Sequence, residues 1–194
     1  MKKVLFIVFI FFVSLGLYAQ EQKQDHLRFK SIPIDGPLES FCESMSGLGL
    51  EKKGSDGELA VLSGNFAGYK NCRIIAVAFE GIVWKVIVEF PDRKTWSSTV
   101  ELYDRLKQSF VTKYDVTPYC VERLPKYAKA GTGLEHLAFQ DETGKWLSTF
   151  DLWNGKIKLY VKAGDVATKQ MKVVLEYQDG INTAVVEGCA MEDL

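Results

Sequence analysis

Residues 146–162 are the feature that most constrains the fold, because two runs of alternating apolar and polar side chains meet at Asn154-Gly155. Asn-Gly between such runs is the strongest short-range signal for a hairpin, since a type I′ turn needs a positive φ at both central residues. A two-residue loop here sets the register and places Trp153 opposite Lys156. One face of the predicted hairpin then carries the apolar side chains of Trp146, Phe150, Leu152, Ile157, Leu159 and Val161.

The other face of this hairpin is polar, which predicts a sheet with one buried side and one solvated side. Its members are Thr149, Asp151, Lys158, Tyr160 and Lys162. Trp153 also falls on the polar side. There it is either an exposed anchor for a protein or glycan, or the partner of Lys156 in a cross-strand contact worth at most about 1 kcal/mol. Trp153 and Tyr160 are therefore the candidate binding anchors.

The start of the chain has the pattern of a secretory signal peptide. Lys2 and Lys3 precede an apolar run that is shorter than the ~20 residues a membrane span needs. Ala19, a small residue suited to a cleavage site, then precedes a polar stretch. We expect residues 1–19 to be removed, leaving a periplasmic or extracellular protein with no membrane span.

Composition narrows the class of protein further. With 24 basic and 25 acidic side chains, the chain has no basic excess that would attract nucleic acid or an anionic membrane surface. The 47% hydrophobic content is typical of a chain that buries a core and not of a disordered one. A folded domain with no nucleic-acid partner is therefore predicted.

Four cysteines remain beyond the signal peptide, and an even number in an exported chain predicts disulfides. The favoured bridge is Cys72–Cys120, because a helix that crosses back over a sheet can return the chain beside an earlier strand. Cys42–Cys189 is the second candidate pair, and four free thiols are the alternative. The chain has no CxxC pair and only two histidines, so no metal site is expected.

Two helices are predicted from apolar residues at helical spacing. Residues 95–114 give the clearer one, with a stripe formed by Trp96, Val100, Tyr103, Leu106, Phe110 and Tyr114. A shorter helix is predicted after Pro37, with Asp35 as its candidate cap. Its stripe consists of Leu38, Phe41, Cys42 and Met45.

Strands are predicted between these helices. Residues 72–79 and 82–90 form a second hairpin around Glu80-Gly81, although Glu-Gly is a weaker turn signal than Asn-Gly. If its loop has two residues, the shared apolar face carries Ile75, Val77, Phe79, Ile82, Trp84, Val86 and Val88. Further strands are predicted at residues 26–34, 58–63, 119–124, 134–140 and 171–177, with a turn at 52–57.

The order of these elements predicts the α+β class. A helix and an antiparallel meander occur twice, in units at about 26–90 and 91–178, and such helices usually lie on one face of the sheet. Residues 20–194 are predicted to be a single domain of two loosely similar halves. The tail, residues 180–194, is expected to be flexible or to form a short helix.

Several stretches give the chain a resemblance to known proteins. They are HLRFKSIPIDGPLESF at 26–41, GNFAGYKNC at 64–72, VIVEFP at 86–91, a helix ending in KYD at 115, and the final MEDL. The chain resembles a group of uncharacterised small secreted proteins of Bacteroides-type gut bacteria. The resemblance implies an α+β fold, export, and no assigned reaction or cofactor. The helix-then-meander order is also similar to beta-lactamase-inhibitor-like folds, which bind proteins through an open sheet face.

The sequence carries no recognised catalytic motif. GxSxG, HExxH and GxxxxGK[ST] do not occur. His26 and His136 lie apart from any nucleophile motif and are predicted to be solvated or edge histidines. Gly131-Thr132-Gly133 is predicted to be a flexible connector. We therefore expect no catalytic residue and no cofactor.

These observations favour an exported, non-enzymatic binding module whose ligand is a protein or peptide. One alternative is a small secreted hydrolase with carboxylates that the fold brings together, since any two acids can meet in space. The other is an inhibitor or immunity-type protein, which is a special case of the binding module.

Overall fold

The computed structural model describes residues 25–192, so the predicted signal peptide, residues 1–19, lies outside the described residues. Within them the protein has four α-helices, an eight-stranded antiparallel sheet and a two-stranded sheet. The helices pack against the large sheet. The predicted α+β class is confirmed.

The elements alternate in two rounds of helix and meander. The helices are α1 (Leu38–Gly47), α2 (Trp96–Tyr114), α3 (Glu135–Gln140) and α4 (Gly180–Glu192). The strands of the first half are β1 (Arg28–Phe29), β2 (Ile32–Pro33), β3 (Glu51–Ser55), β4 (Leu59–Phe66), β5 (Tyr69–Phe79) and β6 (Ile82–Glu89). Those of the second half are β7 (Tyr119–Arg123), β8 (Lys145–Leu152), β9 (Gly155–Ala163) and β10 (Met171–Asp179).

The two meanders form a single sheet of order β3-β4-β5-β6-β10-β9-β8-β7. The last strands of the two meanders, β6 and β10, pair at the centre, with Val88 opposite Leu175 and Val86 opposite Tyr177. The first strands, β3 and β7, become the two outer edges. Central pairing of the most apolar strands buries their inner side chains and leaves the more polar strands at the edges.

One face of the sheet forms the core with α1 and α2. The long helix α2 begins at Thr95, whose side chain accepts a hydrogen bond from the Ser98 N–H at 3.2 Å, and ends at Asp115 in the left-handed region with φ 52°. Its predicted stripe is confirmed at Tyr103, Leu106 and Phe110, which are buried. The buried stripe of α1 is also confirmed, at Leu38, Phe41, Cys42 and Met45.

The hairpin of β8 and β9 exists, but its predicted register is wrong. Trp153 and Asn154 form the turn, and Leu152 pairs with Gly155. Asp151 therefore lies opposite Lys156. Each strand is displaced by one residue relative to the turn, so the pairing between the strands changes by two residues in total. Each side chain therefore stays on its predicted face of the sheet. The buried face carries Phe150, Ile157, Leu159 and Val161.

Gly155 is required by packing against β10 and not by a type I′ turn. A Cβ at this position would lie 2.3 Å from the Gln178 carbonyl oxygen, and the backbone has φ 155°. The adjacent Asn154 carbonyl accepts a hydrogen bond from the Gly180 N–H at 3.0 Å. The glycine thus lets the end of β10 and the start of α4 approach the turn.

The hairpin of β5 and β6 has its predicted turn, with Glu80 and Gly81 at positive φ. Its predicted faces are wrong for β5 and for Ile82 and Trp84 of β6, because the register shifts between Val77 and Ala78. This irregularity adds one residue to β6. The buried face of β5 is therefore the one opposite to the face predicted. The buried side chains are Cys72, Ile74, Ala76, Ala78, Val83, Val86 and Val88.

Trp84 is one consequence of that shift. It was predicted to lie on the apolar face of the hairpin, but it is only partly buried and lies under the Lys85 ammonium, with Nζ 4.1 Å from its ring centroid. The bulge turns its indole away from the core formed by Val83 and Val86.

Three further predicted elements are wrong. Residues 26–34 are two short strands, because Lys30 and Ser31 take positive φ and turn the chain between β1 and β2. Residues 52–57, predicted as a turn, contain most of β3, whose residues are all exposed and so show no alternation. Residues 134–140, predicted as a strand, contain the helix α3. Six residues are too few to reveal a helical period.

Candidate functional site

An open cleft of about 990 Å³ lies between the turn of the β8–β9 hairpin and the helix α4. This volume is at the upper end of the range for small-ligand sites. Its hairpin side is lined by Asp151, Leu152, Trp153, Asn154, Gly155 and Lys156, and its helix side by Gly180, Ile181, Thr183, Ala184 and Glu187. Asp25 and Gln178 complete the lining.

The helical wall of the cleft is held in place by Asp179 and Asn182. The Asp179 carboxylate accepts a hydrogen bond from the Asn182 N–H at 2.9 Å, which caps the first turn of α4. The Asn182 side-chain amide donates to the Val83 carbonyl at 3.0 Å and to the Ile34 carbonyl at 3.1 Å. These bonds fix α4 to the sheet and to the chain that follows β2.

Asp179 also holds the chain that enters β1. It is fully buried, and its carboxylate accepts hydrogen bonds from the Leu27 N–H at 2.7 Å and from His26 Nδ1 at 3.0 Å. His26 Nε2 lies 3.4 Å from the Asp35 carboxylate. The prediction of solvated or edge histidines is wrong for His136, which is 6% exposed. It is also wrong for His26, since its partner Asp179 is distant in sequence and only the fold brings the two together.

Trp153 projects into solvent beside the cleft, with 80% of its surface exposed. Lys156 bonds elsewhere, since its Nζ lies 3.5 Å from Asp151. Among the described residues no cation–π contact joins Lys156 to the Trp153 indole. The cross-strand contact considered for Trp153 is therefore not formed, and the indole has no aromatic or cationic partner within residues 25–192.

Tyr160 lies away from this cleft, so the structure does not bring the two candidate anchors together. It sits on the open face of the sheet between Leu147 of β8 and Val174 of β10. Burial, together with the charges of the nearby Glu176 and Glu89 carboxylates, raises the pKa of its hydroxyl to about 12. Tyr160 is partly buried and is less available than Trp153 as a contact residue.

The open face of the sheet carries a cluster of charges around Glu89. This carboxylate is 7% exposed and lies 2.5 Å from Lys162 Nζ, 3.1 Å from Arg73 and 3.5 Å from Lys172. Burial alone would raise its pKa, but the hydrogen bonds and charges of Lys162 and Arg73 and the charge of Lys172 outweigh burial and lower the pKa. Glu89 of β6 is thus an ionised centre that links its own strand to β5, β9 and β10.

The cleft presents carboxylate, amide and hydroxyl groups. Its lining within residues 25–192 contains the carboxylates of Asp25, Asp151 and Glu187, and no histidine or cysteine. The Thr183 hydroxyl is buried and has no hydrogen-bond partner among the described residues. No group of histidine, cysteine, aspartate or glutamate side chains that could hold a metal ion occurs within residues 25–192.

The predicted Cys72–Cys120 bridge is wrong for this fold. All four cysteines are free thiols. Cys72 lies on β5 and Cys120 on β7, and four other strands separate these two. Five strand spacings amount to roughly 24 Å, against the ~7 Å that a disulfide spans between Cα atoms. Burial raises the pKa of the Cys42 and Cys72 thiols, which makes both less reactive.

Sequence reasoning missed the helical wall of the cleft, because the tail was expected to be loose or only briefly helical. The signal that could have revealed it is Asp179, a favourable capping residue just before residues 181–190, which mix apolar residues with Asn182, Thr183, Glu187 and Gly188. This segment has no stripe, since its apolar residues are spread around the helix. No residue of α4 is fully buried among those whose side chains are described.

Comparison with known proteins gives no match to a protein-family model, a curated protein or a solved structure. Between residues 25 and 192, no helix is long and apolar enough to cross a membrane. The function of the cleft has to be inferred from its geometry.

Proposed function

We propose that the protein is an exported, non-enzymatic binding module, and that a partner protein or peptide docks at the cleft beside Trp153. The observation that carries this proposal is the 80% exposed indole at the rim of a large open cleft. Tryptophan is the residue type most enriched among binding hot spots, because it buries a large rigid surface at little entropic cost. A solvated indole that has no partner in the described part of the chain suits that role.

The surroundings of Trp153 support a preorganised site. The turn that carries it is anchored to the start of α4 by the hydrogen bond between Gly180 and Asn154. Asn154, Gln178 and Thr183 add polar groups to the cleft lining that can orient a ligand. A ligand that covers the indole would therefore bind with little rearrangement of the protein.

The test is to measure binding by matched variants. Wild-type protein, Trp153→Ala and Tyr119→Ala serve as baits for material exported by the producing cell, and the captured partner is then titrated by calorimetry. Tyr119 is the control because it is also an exposed aromatic residue, at 68%, on β7 outside the cleft. We expect Trp153→Ala to weaken affinity by about 30-fold, a loss typical of a hot spot. Equal affinity of all three baits would contradict the proposal.

A glycan is the alternative ligand, since an exposed indole beside amide and hydroxyl groups can also stack on a sugar ring. An array of oligosaccharides probed with the same three proteins separates the two cases. Binding of wild type and Tyr119→Ala to one glycan class, with loss in Trp153→Ala, would identify a glycan module instead of a protein-binding one.

A small secreted hydrolase is the second candidate, favoured by one observation: Asp25, Asp151 and Glu187 line the same cleft. Paired carboxylates of this kind serve glycoside hydrolysis when one donates and the other accepts a proton. The binding proposal predicts no turnover of oligosaccharides by the wild type. Turnover that Asp151→Asn or Glu187→Gln abolishes, while binding persists, would establish the enzyme.

An inhibitor or immunity-type role is a special case of the first proposal. It accords with the helix-then-meander order noted above for beta-lactamase-inhibitor-like folds. In this case the captured partner is an enzyme, and wild type lowers its activity more than Trp153→Ala does. Export is tested separately: intact mass of secreted protein should match a chain that begins at Gln20, whereas retention of Met1 would contradict it.

A further inference from the structure

A second cleft, of about 450 Å³, lies at the start of α2, distant in sequence from the Trp153 cleft. Thr95, Trp96 and Ser97 line one side of it, and Glu135 and His136 of α3 line another. The Thr95 side chain satisfies the Ser98 N–H, but the N–H groups of Trp96 and Ser97 stand at helix positions that have no intrahelical acceptor. The positive end of a 19-residue helix therefore opens into this cleft.

His136 gives an independent indication of a ligand. Only 6% of its surface is exposed, and its ring nitrogens make no hydrogen bond to any described residue. Neither nitrogen is among the fully buried polar atoms that lack a partner. The imidazole therefore reaches solvent through the cleft, where a ligand oxygen could accept its N–H. The imidazole is therefore available to hydrogen-bond a ligand that occupies the cleft.

Two lysines add positive charge to the same cleft. Lys94 precedes the start of α2, and Lys169 lies in the turn before β10. Both are exposed, and neither forms an ion pair with any residue in the described range. Free ammonium groups beside a helix N-terminus favour an anion with several acceptor oxygens.

Glu135 restricts which anion suits the site. Its carboxylate is 2% exposed, and one oxygen accepts a hydrogen bond from the Gly131 N–H at 2.5 Å. An anion without a proton would be repelled by this carboxylate, whereas an anion that retains a hydroxyl can donate to it. Inorganic phosphate keeps a proton at neutral pH and sulfate does not.

We propose that this cleft binds a phosphate group that carries a hydroxyl donor. Lys94, Lys169, His136 and the α2 N-terminus hold its oxygens, and the Glu135 carboxylate accepts a hydrogen bond from its hydroxyl. Inorganic phosphate meets this description without any additional group. A small phosphate monoester meets it when a hydroxyl or ammonium elsewhere on the ligand takes the place of the phosphate proton.

The experiment is calorimetric titration of the protein with sodium phosphate, sodium sulfate and phosphoserine at pH 7. We expect saturable phosphate binding and at least tenfold weaker sulfate binding. Lys94→Ala/Lys169→Ala should weaken phosphate binding at least tenfold, whereas the control Lys126→Ala/Lys129→Ala, at exposed lysines outside the cleft, should bind as wild type does. Tighter binding of phosphoserine than of phosphate identifies the monoester as the ligand class, and the reverse identifies free phosphate.

A further variant tests the part assigned to Glu135. Glu135→Gln keeps an acceptor oxygen but loses the negative charge. The variant should therefore show a smaller difference between its affinities for phosphate and for sulfate. The buried position of Glu135 makes misfolding a concern, but the two lysines are exposed and their variant should fold normally. The absence of saturable phosphate binding to wild type would overturn the proposal. Equal binding of phosphate and sulfate by wild type, or unchanged phosphate affinity in the lysine variant, would overturn it too.

Discussion

At the scale of single residues, Glu89 shows how burial and ion pairing oppose each other. Its carboxylate lies on the open face yet is nearly covered, and Lys162, Arg73 and Lys172 surround it. Its lowered pKa means that folding favours the ionised form. Such a carboxylate stabilises the fold at pH values above its usual pKa of 4.5, and that contribution is lost as the pH falls through the lower folded value.

We therefore predict that Glu89→Gln lowers the free energy of unfolding at pH 7 by about 1–2 kcal/mol, because charge-assisted hydrogen bonds are lost while the lysines remain partly solvated. Urea denaturation of wild type and variant should show the difference shrinking as the pH falls below 4.5. Glu101→Gln is the control, since Glu101 forms an exposed pair with Arg105. A difference that persists unchanged at low pH would show that the charge of Glu89 is not responsible.

Gly155 is the subject of a second prediction at the scale of single residues. Gly155→Ala would place a Cβ 2.3 Å from the Gln178 carbonyl oxygen, and the backbone of β10 cannot move aside. We expect a loss of about 3 kcal/mol of stability. Gly36→Ala is the matched control, because Gly36 also has a positive φ but nothing within 4 Å of a built Cβ, so it should lose about 1 kcal/mol. Similar melting temperatures for the two variants would contradict the close approach.

At the scale of elements, α2 is the helix whose sequence pattern and packing agree best. Leu106 lies in the middle of its buried stripe and is 4% exposed, whereas Lys113 is exposed. Leu106→Ala should lower the free energy of unfolding by about 2–4 kcal/mol by opening a cavity. Lys113→Ala should change it by less than about 0.5 kcal/mol. Chemical denaturation of both variants checks this, and equal midpoints would mean that the buried face of α2 has been misplaced.

The hairpins show the limit of local patterns at this scale. Alternation correctly assigned Phe150 and Ile157 to the buried face, because a two-residue change in pairing preserves the sides of the strands. The irregularity between Val77 and Ala78 changes the pairing by one residue, which reverses the sides. Nothing in the local sequence marks that bulge, since its extra residue, Trp84 of β6, is of a type common in strands.

At the scale of the whole molecule, the pairing of β6 with β10 joins the two halves. Tyr177 of β10 lies in the core between them: its ring centroid is 5.3 Å from that of Phe29 in the first half and 6.1 Å from that of Phe110 in the second. Either half alone would expose the β6 or β10 edge and the apolar side chains around it. Such an exposed strand edge favours aggregation.

We therefore predict that the protein unfolds in one cooperative transition. Scanning calorimetry should give a calorimetric enthalpy equal to the van't Hoff enthalpy, as expected when two halves share one core. Leu175→Ala, at the seam opposite Val88, should lower the temperature of the single transition without splitting it. Two separate transitions in the wild type would show that the halves are independent units.

The sequence by itself determined the α+β class and the buried stripes of α1 and α2, because these depend on periodicity within a few residues. Tertiary structure alone decided the central pairing of β6 with β10, the contact of His26 with Asp179, and the separation of Cys72 from Cys120. It also determined where the two clefts form and which residues line them. Each of these depends on which distant segments of the chain meet. The hydrogen-bonding edges and apolar faces of different strands are chemically alike, so local sequence does not specify which of them pair.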